Sequence, residues 1–155
     1  MATIISRNNF SNSFFYAKRT TDVTGVGAGS DTVYDSPIAE LGDNISYNSS
    51  TGVFTLQPNY IYKLVACNLF DTFSNSTEGC IIGSWHNGSN VELSDTTRST
   101  MVPTTFATDS NGVNPYAICI HYPTSQLDVK FRLITCNGTA NLMGHGSFAY
   151  VEQLG

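Results

Sequence analysis

The sequence predicts an all-β protein folded as a two-sheet antiparallel jelly-roll sandwich. Short stretches in which apolar residues recur at every second position lie along the chain, and this period of two is typical of strands. Dipeptides that favour turns, such as Asn87-Gly88 and Asn137-Gly138, separate the stretches. No window of eleven or more residues has the 3.6-residue period of a helix. Many short strands joined by turns favour a sandwich or a jelly roll.

The composition agrees with this fold class. Aromatic residues make up 12% of the 155 residues and charged residues another 12%, about half the usual charged share. Aromatic side chains fit a pleated sheet, and the abundant asparagine and glycine supply turns.

The first half of the chain begins with a strand over 14–19. Residues 20–31 contain three glycines in no phosphate-binding order, so we expect a flexible loop. A second strand, 53–58, follows a turn at 48–52. The next run, 60–70, is largely apolar on both of its faces, which predicts burial between two sheets or between a sheet and a neighbouring subunit.

Four further strands are predicted in the second half of the chain, over 79–86, 116–122, 127–134 and 147–154. The strands over 116–122 and 127–134 are separated by only four residues, which predicts a hairpin. Large apolar residues in these strands are expected to fill the core or its edges. They are Val53, Phe54, Leu64, Ile118, Ile120, Phe131 and Leu133.

We expect a single domain over residues 13–155, preceded by an N-terminal arm of residues 1–12. The chain shows neither a secretory leader nor an apolar run long enough to span a membrane. Its net charge of -5, with no dense basic stretch, argues against nucleic acid as a partner.

The four cysteines, Cys67, Cys80, Cys119 and Cys136, are too widely spaced for a zinc motif. Their even number permits disulfides, but a domain of this size does not need them, and we favour four reduced thiols. Six Asn-x-Ser/Thr sequons are expected by chance in a chain so rich in these residues, and they leave glycosylation open. They lie at Asn9, Asn44, Asn48, Asn75, Asn87 and Asn137.

No catalytic or metal-binding constellation is visible, so we expect no enzyme, no cofactor and no resident metal. The three histidines are isolated in sequence, and the acidic residues between 22 and 43 follow no calcium-loop spacing. Ser84 lacks the second glycine of a nucleophile elbow and is predicted to be a strand residue. Trp85, the single tryptophan, is either a core residue, which we favour, or an exposed platform that contacts a sugar ligand.

Residues 14–70 resemble the complement-type globular head within the tumour-necrosis-factor-like jelly-roll superfamily. Residues 15–20 match the family's F-x-A-x-R-T, and residues 47–55 match its Y-x-x-x-T-G-x-F-T. The departures are Pro58, one place late, and Tyr60 and Leu64 where the family has Gly and Phe. The final strand is compatible with the family, whereas residues 71–146 match only in the number of strands. The polar surface and the ending YVEQLG look more like phage or large-virus members.

The resemblance implies a homotrimer, packed around a threefold axis by aromatic residues of one sheet. The chain has more large aromatic residues than one sandwich of this size hides easily, which also favours an interface. The candidates for this interface are Tyr62, Tyr122, Phe148 and Tyr150.

The function that this sequence favours is a virion-surface protein, either a capsid decoration or the head of a fibre, that mediates attachment or stabilises the particle. Its arm would contact a capsid, tail or fibre protein, and its loops would contact a glycan or protein of the host surface. The alternative is a secreted receptor ligand or a lectin-like recognition module of the same fold.

Overall fold

The computed structural model describes residues 13–71, 81–98, 116–136 and 138–155. Within these ranges the chain forms thirteen strands and no helix. The strands are β1 Phe14–Lys18, β2 Val23–Val26, β3 Ser36–Leu41, β4 Ile45–Asn48, β5 Val53–Leu56, β6 Tyr62–Cys67, β7 Phe70–Asp71, β8 Ile81–Asn87, β9 Thr96–Arg98, β10 Tyr116–His121, β11 Leu127–Cys136, β12 Ala140–Leu142 and β13 Phe148–Gln153. The described part of the chain contains no helix long and apolar enough to cross a membrane. The predicted arm, residues 1–12, lies outside the described ranges.

Two main sheets face each other, and all of their strand pairs are antiparallel. The first sheet has six strands in the order β3-β1-β13-β6-β10-β9, and the second has four in the order β4-β5-β11-β8. The first and last long strands, β1 and β13, are neighbours, so the two ends of the domain are held side by side. The architecture confirms the all-β jelly-roll prediction.

A third, smaller sheet was not predicted. It has the order β2-β12-β7, and its strand β2 lies within the glycine-containing segment that we expected to be a flexible loop. Val23 and Val26 are the residues of β2 that pack against the core. Because only these two apolar positions mark the strand, its period is too short to be recognised among polar residues and glycines.

The predicted hairpin of residues 116–122 and 127–134 is wrong. The two segments are strands, but β10 pairs with β6 and β9 in the six-stranded sheet, whereas β11 pairs with β5 and β8 in the four-stranded sheet. The connection crosses from one sheet to the other, and the carbonyl of Pro123 accepts a hydrogen bond from the amide of Asn59 (2.8 Å). The five-residue connection, 122–126, therefore forms an arch between the two sheets, and a short loop length alone does not distinguish such an arch from a hairpin.

The core lies between the two main sheets, and three of its large aromatic rings come from the four-stranded sheet. Phe54, Trp85 and Phe131 are fully buried, and their rings meet edge to face at 5.9 and 6.0 Å. Phe131 lies directly over Gly83, which leaves no room for a side chain there. Such edge-to-face contacts are a favourable geometry for aromatic rings and fix the spacing of the two layers.

Four of the seven expected core residues are buried: Phe54, Leu64, Phe131 and Leu133. Val53 is half-buried. Ile118 and Ile120 point away from the core, and Ile120 is 53% exposed. This part of the prediction is corrected, because β10 turns its small residues Ala117 and Cys119 inward instead.

Candidate self-association surface

The outer face, defined as the side of the six-stranded sheet turned away from the four-stranded sheet, carries three rows of side chains. The strand registers align these rows across β1, β13, β6 and β10. The first row is Lys18, Phe148, Cys67 and Tyr116; the middle row is Tyr16, Tyr150, Val65 and Ile118; the third row is Phe14, Glu152, Lys63 and Ile120. The middle row contains no charge.

The inner side of the same four strands includes a row of alanines. Ala17, Ala149, Ala66 and Ala117 are cross-strand neighbours, and all four are fully buried. These small residues leave the space that the large rings of the opposite sheet occupy, and the indole Nε1 of Trp85 donates to the carbonyl of Ala117 (3.3 Å). The next inner row has larger residues, which are also buried: Phe15, Val151, Leu64 and Cys119. Both sides of the six-stranded sheet are therefore apolar, whereas a sheet that buries only one side within its own subunit has a polar outer side.

The β1 and β13 half of the outer face is aromatic. The rings of Phe14 and Tyr150 have centroids 6.1 Å apart, as do those of Tyr16 and Phe148. The Nζ atom of Lys63 lies 5.7 Å from the centroid of the Tyr150 ring, a cation–π geometry. These contacts order the aromatic half before any partner binds, which lowers the entropy cost of association.

The β6 and β10 half of the outer face is mainly aliphatic. Val65 and Ile118 are direct cross-strand partners, and Ile120 follows on the same face of β10. Val65 and Ile118 are half-buried by their neighbours, whereas Ile120 is exposed. The outer face therefore consists of two chemically different halves, one of stacked rings and one of branched aliphatic side chains.

Of the four interface candidates, the structure places Phe148 and Tyr150 together on the outer face. Tyr122 is 53% exposed just beyond the end of β10. Tyr62 is corrected: it is fully buried in the core, and its hydroxyl lies 2.9 Å from the carbonyl oxygen of Gln57 and 3.2 Å from that of Asn44. Burial raises the pKa of Tyr62 to about 12, so the phenol keeps the proton that it donates.

Sequence reasoning missed further apolar members of the outer face, among them Phe14, Tyr16, Val65, Ile118 and Ile120. On β10 a signal exists, because Ile118 and Ile120 alternate with the small residues Ala117 and Cys119, which face the large rings of the opposite sheet. On β1 and β6 the outer residues alternate with large buried ones, such as Phe15 and Leu64, so side-chain size does not distinguish the two faces.

Trp85 is buried, so the hypothesis of an exposed sugar-contacting platform is wrong. Its ring lies between Phe54 and Phe131, and its single polar hydrogen is used inside the fold. The preferred interpretation of the sequence, a core tryptophan, is correct.

The structure gives two of the histidines partners that their sequence spacing does not reveal. His86 Nε2 lies 3.1 Å from Ser84 Oγ, and His121 Nδ1 lies 3.4 Å from Asp95 Oδ2. Both Ser84 and His86 are buried, so a substrate has no access to them. The other nitrogen of His86 has no hydrogen-bond partner among the described residues, and no carboxylate orients the ring as hydrolytic triads require.

Three of the acidic residues before β4 that were weighed as calcium ligands are engaged in the fold: Asp22, Asp31 and Asp35. Asp31 binds Lys130 Nζ at 2.7 Å and Arg132 at 2.6 Å, and Asp35 accepts hydrogen bonds from the backbone and side chain of Thr20. Within the described ranges, no group of three or more His, Cys, Asp or Glu side chains is placed to hold a metal ion.

Three of the four cysteines can be placed, and Cys67 and Cys119 are free thiols. Cys119 is buried, and burial raises its pKa to about 11; Cys67 and Cys136 are half-buried. Burial also raises the pKa of the Cys67 thiol, which keeps it protonated on the outer face. Cys80 lies outside the described residues.

Comparison with solved structures shows the tumour-necrosis-factor-like jelly roll. Murine APRIL superposes with a TM-score of 0.60 at 12% identity, over 92% of this chain and 99% of that one. Eiger TNF from S. frugiperda gives 0.58 at 13% identity, over 93% and 92%. The globular domain of zebrafish complement 1qA protein gives 0.54 at 10% identity, over 93% and 96%. At these identities the likeness establishes the fold. No family model matches the sequence, and no curated protein matches it either.

Proposed function

We propose that this chain is a non-enzymatic binding module that assembles as a homotrimer through the outer face. The observation that carries the proposal is the apolar outer face of the six-stranded sheet, whose middle row consists of Tyr16, Tyr150, Val65 and Ile118 and contains no charge. A continuous apolar face of this kind on a protein surface marks an interaction site.

The arrangement of the outer face favours a closed ring of subunits. A twofold dimer contacts the same patch on both subunits, whereas a ring places two different patches against each other. The aromatic half around Tyr150 and the aliphatic half around Ile118 are two such patches, side by side on one sheet. The sequence resemblance implies three subunits in the ring, and the jelly-roll neighbours have the same fold as this chain.

Two settings for this module are supported by different observations. The sequence favours a particle surface, as a capsid decoration or a fibre head that attaches through residues 1–12. The structural neighbours, a TNF and a complement protein by their names, favour an extracellular ligand or recognition module instead. Copurification with intact particles supports the first setting, and recovery of the protein free outside cells supports the second.

A matched pair of lysine substitutions tests the assembly. Ile120 on the outer face is 53% exposed and Val91, on the turn after β8, is 60% exposed, so neither change disturbs the core of a single subunit. We expect Ile120→Lys to lower the molar mass in solution toward that of one chain, because it places a charge in an apolar interface. Val91→Lys should leave the mass unchanged. Equal masses for the two variants would contradict the use of the outer face.

A further inference from the structure

His86 occupies a buried position that suits only the neutral form of its ring. The residue is 3% exposed on β8, with Nε2 next to Ser84 Oγ and Nδ1 buried without a hydrogen-bond partner among the described residues. When Nε2 carries the hydrogen and donates it to Ser84, Nδ1 presents only a lone pair. Protonation puts a second N–H at Nδ1, where no acceptor is available, and a buried donor without a partner is costly.

The charges around His86 do not offer a free counterion. From β11, its cross-strand partner Lys130 and the nearby Arg132 face it, and both are bound by Asp31. From the segment after β8, Glu92 forms a β-bridge with His86, and its carboxylate is already bound by Arg98 of β9. Among the described residues, the neighbourhood therefore holds three cations and two engaged carboxylates, and a charged imidazole would be a fourth cation.

The chain turns back immediately after His86. We name residues 85–93 the β8 hairpin: the amide of Asn87 donates to the carbonyl of Val91 (2.8 Å), and the amide of Leu93 donates to the carbonyl of Trp85 (2.9 Å). Arg132 holds the turn by donating to Asn90 Oδ1 (3.1 Å). The hairpin leads directly into β9, which forms an edge of the six-stranded sheet beside β10.

We propose that His86 is an acid-sensitive latch: protonation of its ring opens the β8 hairpin and loosens the β9 edge of the six-stranded sheet. The device is independent of the proposed trimer, since every contact that defines it lies within one chain.

Electrostatics gives the direction of this effect. Burial lowers the pKa of His86 below its ordinary value of 6.5; Glu92 and Asp31 oppose this shift, whereas Arg132 and Lys130 add to it. In the open form the ring of His86 is no longer buried, so protonation costs less free energy there. The open form therefore binds the proton more readily than the closed form. The closed hairpin is therefore fully stable above about pH 6.5, and its opening constant rises by up to about tenfold for each pH unit below that value.

Amide hydrogen exchange at about pH 7.5 and about pH 5.5, corrected for the intrinsic exchange rate, tests the latch. In the unmodified chain we expect the amides of Asn87 and Leu93 to open more often at the lower pH, by up to about tenfold. The amide of Gln153, bonded to the carbonyl of Ser13 far from the latch, serves as internal reference. His86→Gln should abolish the pH dependence, and His121→Gln, which removes a half-buried histidine outside the hairpin, should retain it.

Unchanged protection of the hairpin amides in the unmodified chain would overturn the proposal, and so would a change that persists in His86→Gln. If His86→Gln does not fold, the titration of His86 in the unmodified chain, followed by nuclear magnetic resonance, decides. A midpoint below 6.5 supports the latch, and a midpoint at or above 6.5 contradicts it.

Discussion

Replacing Gly83 with alanine should destabilise the fold by about 3 kcal/mol, because the added methyl has no space. A Cβ built on Gly83 lies 2.5 Å from Cε1 of Phe131 and 3.1 Å from Cε2, and it is closer still to Cζ. Carbon atoms in ordinary contact are about 3.5–4.0 Å apart, so the ring would have to move by about 1 Å. Phe131 is fully buried and packs against Trp85, which blocks that movement.

Thermal unfolding followed by circular dichroism measures this cost. An overpacked core typically loses about 1–3 kcal/mol, and the depth of the overlap places Gly83→Ala at the upper end. For a domain of this size, that corresponds to a midpoint lower by about 6–12 °C. Gly88→Ala, directly after the same strand, is the matched control: its Cβ would lie 3.4 Å from Cβ of Asp128, an ordinary contact, so the midpoint should barely change.

A second substitution separates the steric explanation from other effects. Combining Gly83→Ala with Phe131→Leu should cost less than the sum of the two single changes, because the smaller side chain makes room for the methyl. If Gly83→Ala is as stable as Gly88→Ala, or if the two changes are additive, the packing of Phe131 over Gly83 is not as described.

Two further predictions concern tyrosines. Tyr150→Ala should dissociate the assembly, because an aromatic residue at the centre of an interface contributes about 2 kcal/mol or more to binding. The single subunit should stay folded, because the ring of Tyr150 lies outside the core. A trimer of undiminished stability would show that Tyr150 is not an interface residue. Tyr34→Phe should lower the free energy of unfolding by about 1–2 kcal/mol, because the buried Asn68 Oδ1 loses the hydroxyl that donates to it at 3.1 Å. Denaturant unfolding measures the latter change, with the exposed Tyr122→Phe as control.

The sequence predicts the strands that carry a long alternation and misses those that do not. The strands β6, β10 and β13 have six residues each, most of them apolar, so their positions are predictable. The strands β9 and β12 have three residues each, and so short a strand is specified by the neighbours that it pairs with rather than by its own pattern. Tertiary pairing of this kind cannot be recognised in a window of sequence.

The sequence predicts that an interface exists, but it does not predict which residues form the outer face. The surplus of aromatic residues predicts an interface, and the two apolar faces of the run over 60–70 locate one strand of it. The direction of each face depends on the opposite sheet: Ala117 and Cys119 turn inward because Trp85 fills the space beside them. Choosing the isoleucines of β10 as core residues therefore misplaced Ile118 and Ile120, and choosing interface residues among the aromatic ones misplaced Tyr62.

The polar and charged neighbours of His86 could not be predicted from the sequence either. Ser84 is two residues away in sequence, but Asp31, Lys130 and Arg132 reach the ring only because β11 lies beside β8 and the segment before β3 pairs with β11. A histidine that is isolated in sequence is thus surrounded by charges in the fold, and the pairing of distant strands determines this environment.

The molar mass of the unmodified chain in solution, measured by light scattering or sedimentation at micromolar concentration, tests the central claim most directly. One chain has a mass of 16.8 kDa, so three chains together have about 50 kDa. The account predicts a single species near the trimer mass that dissociates in Ile120→Lys and persists in Val91→Lys. A species of 16.8 kDa for the unmodified chain would contradict it.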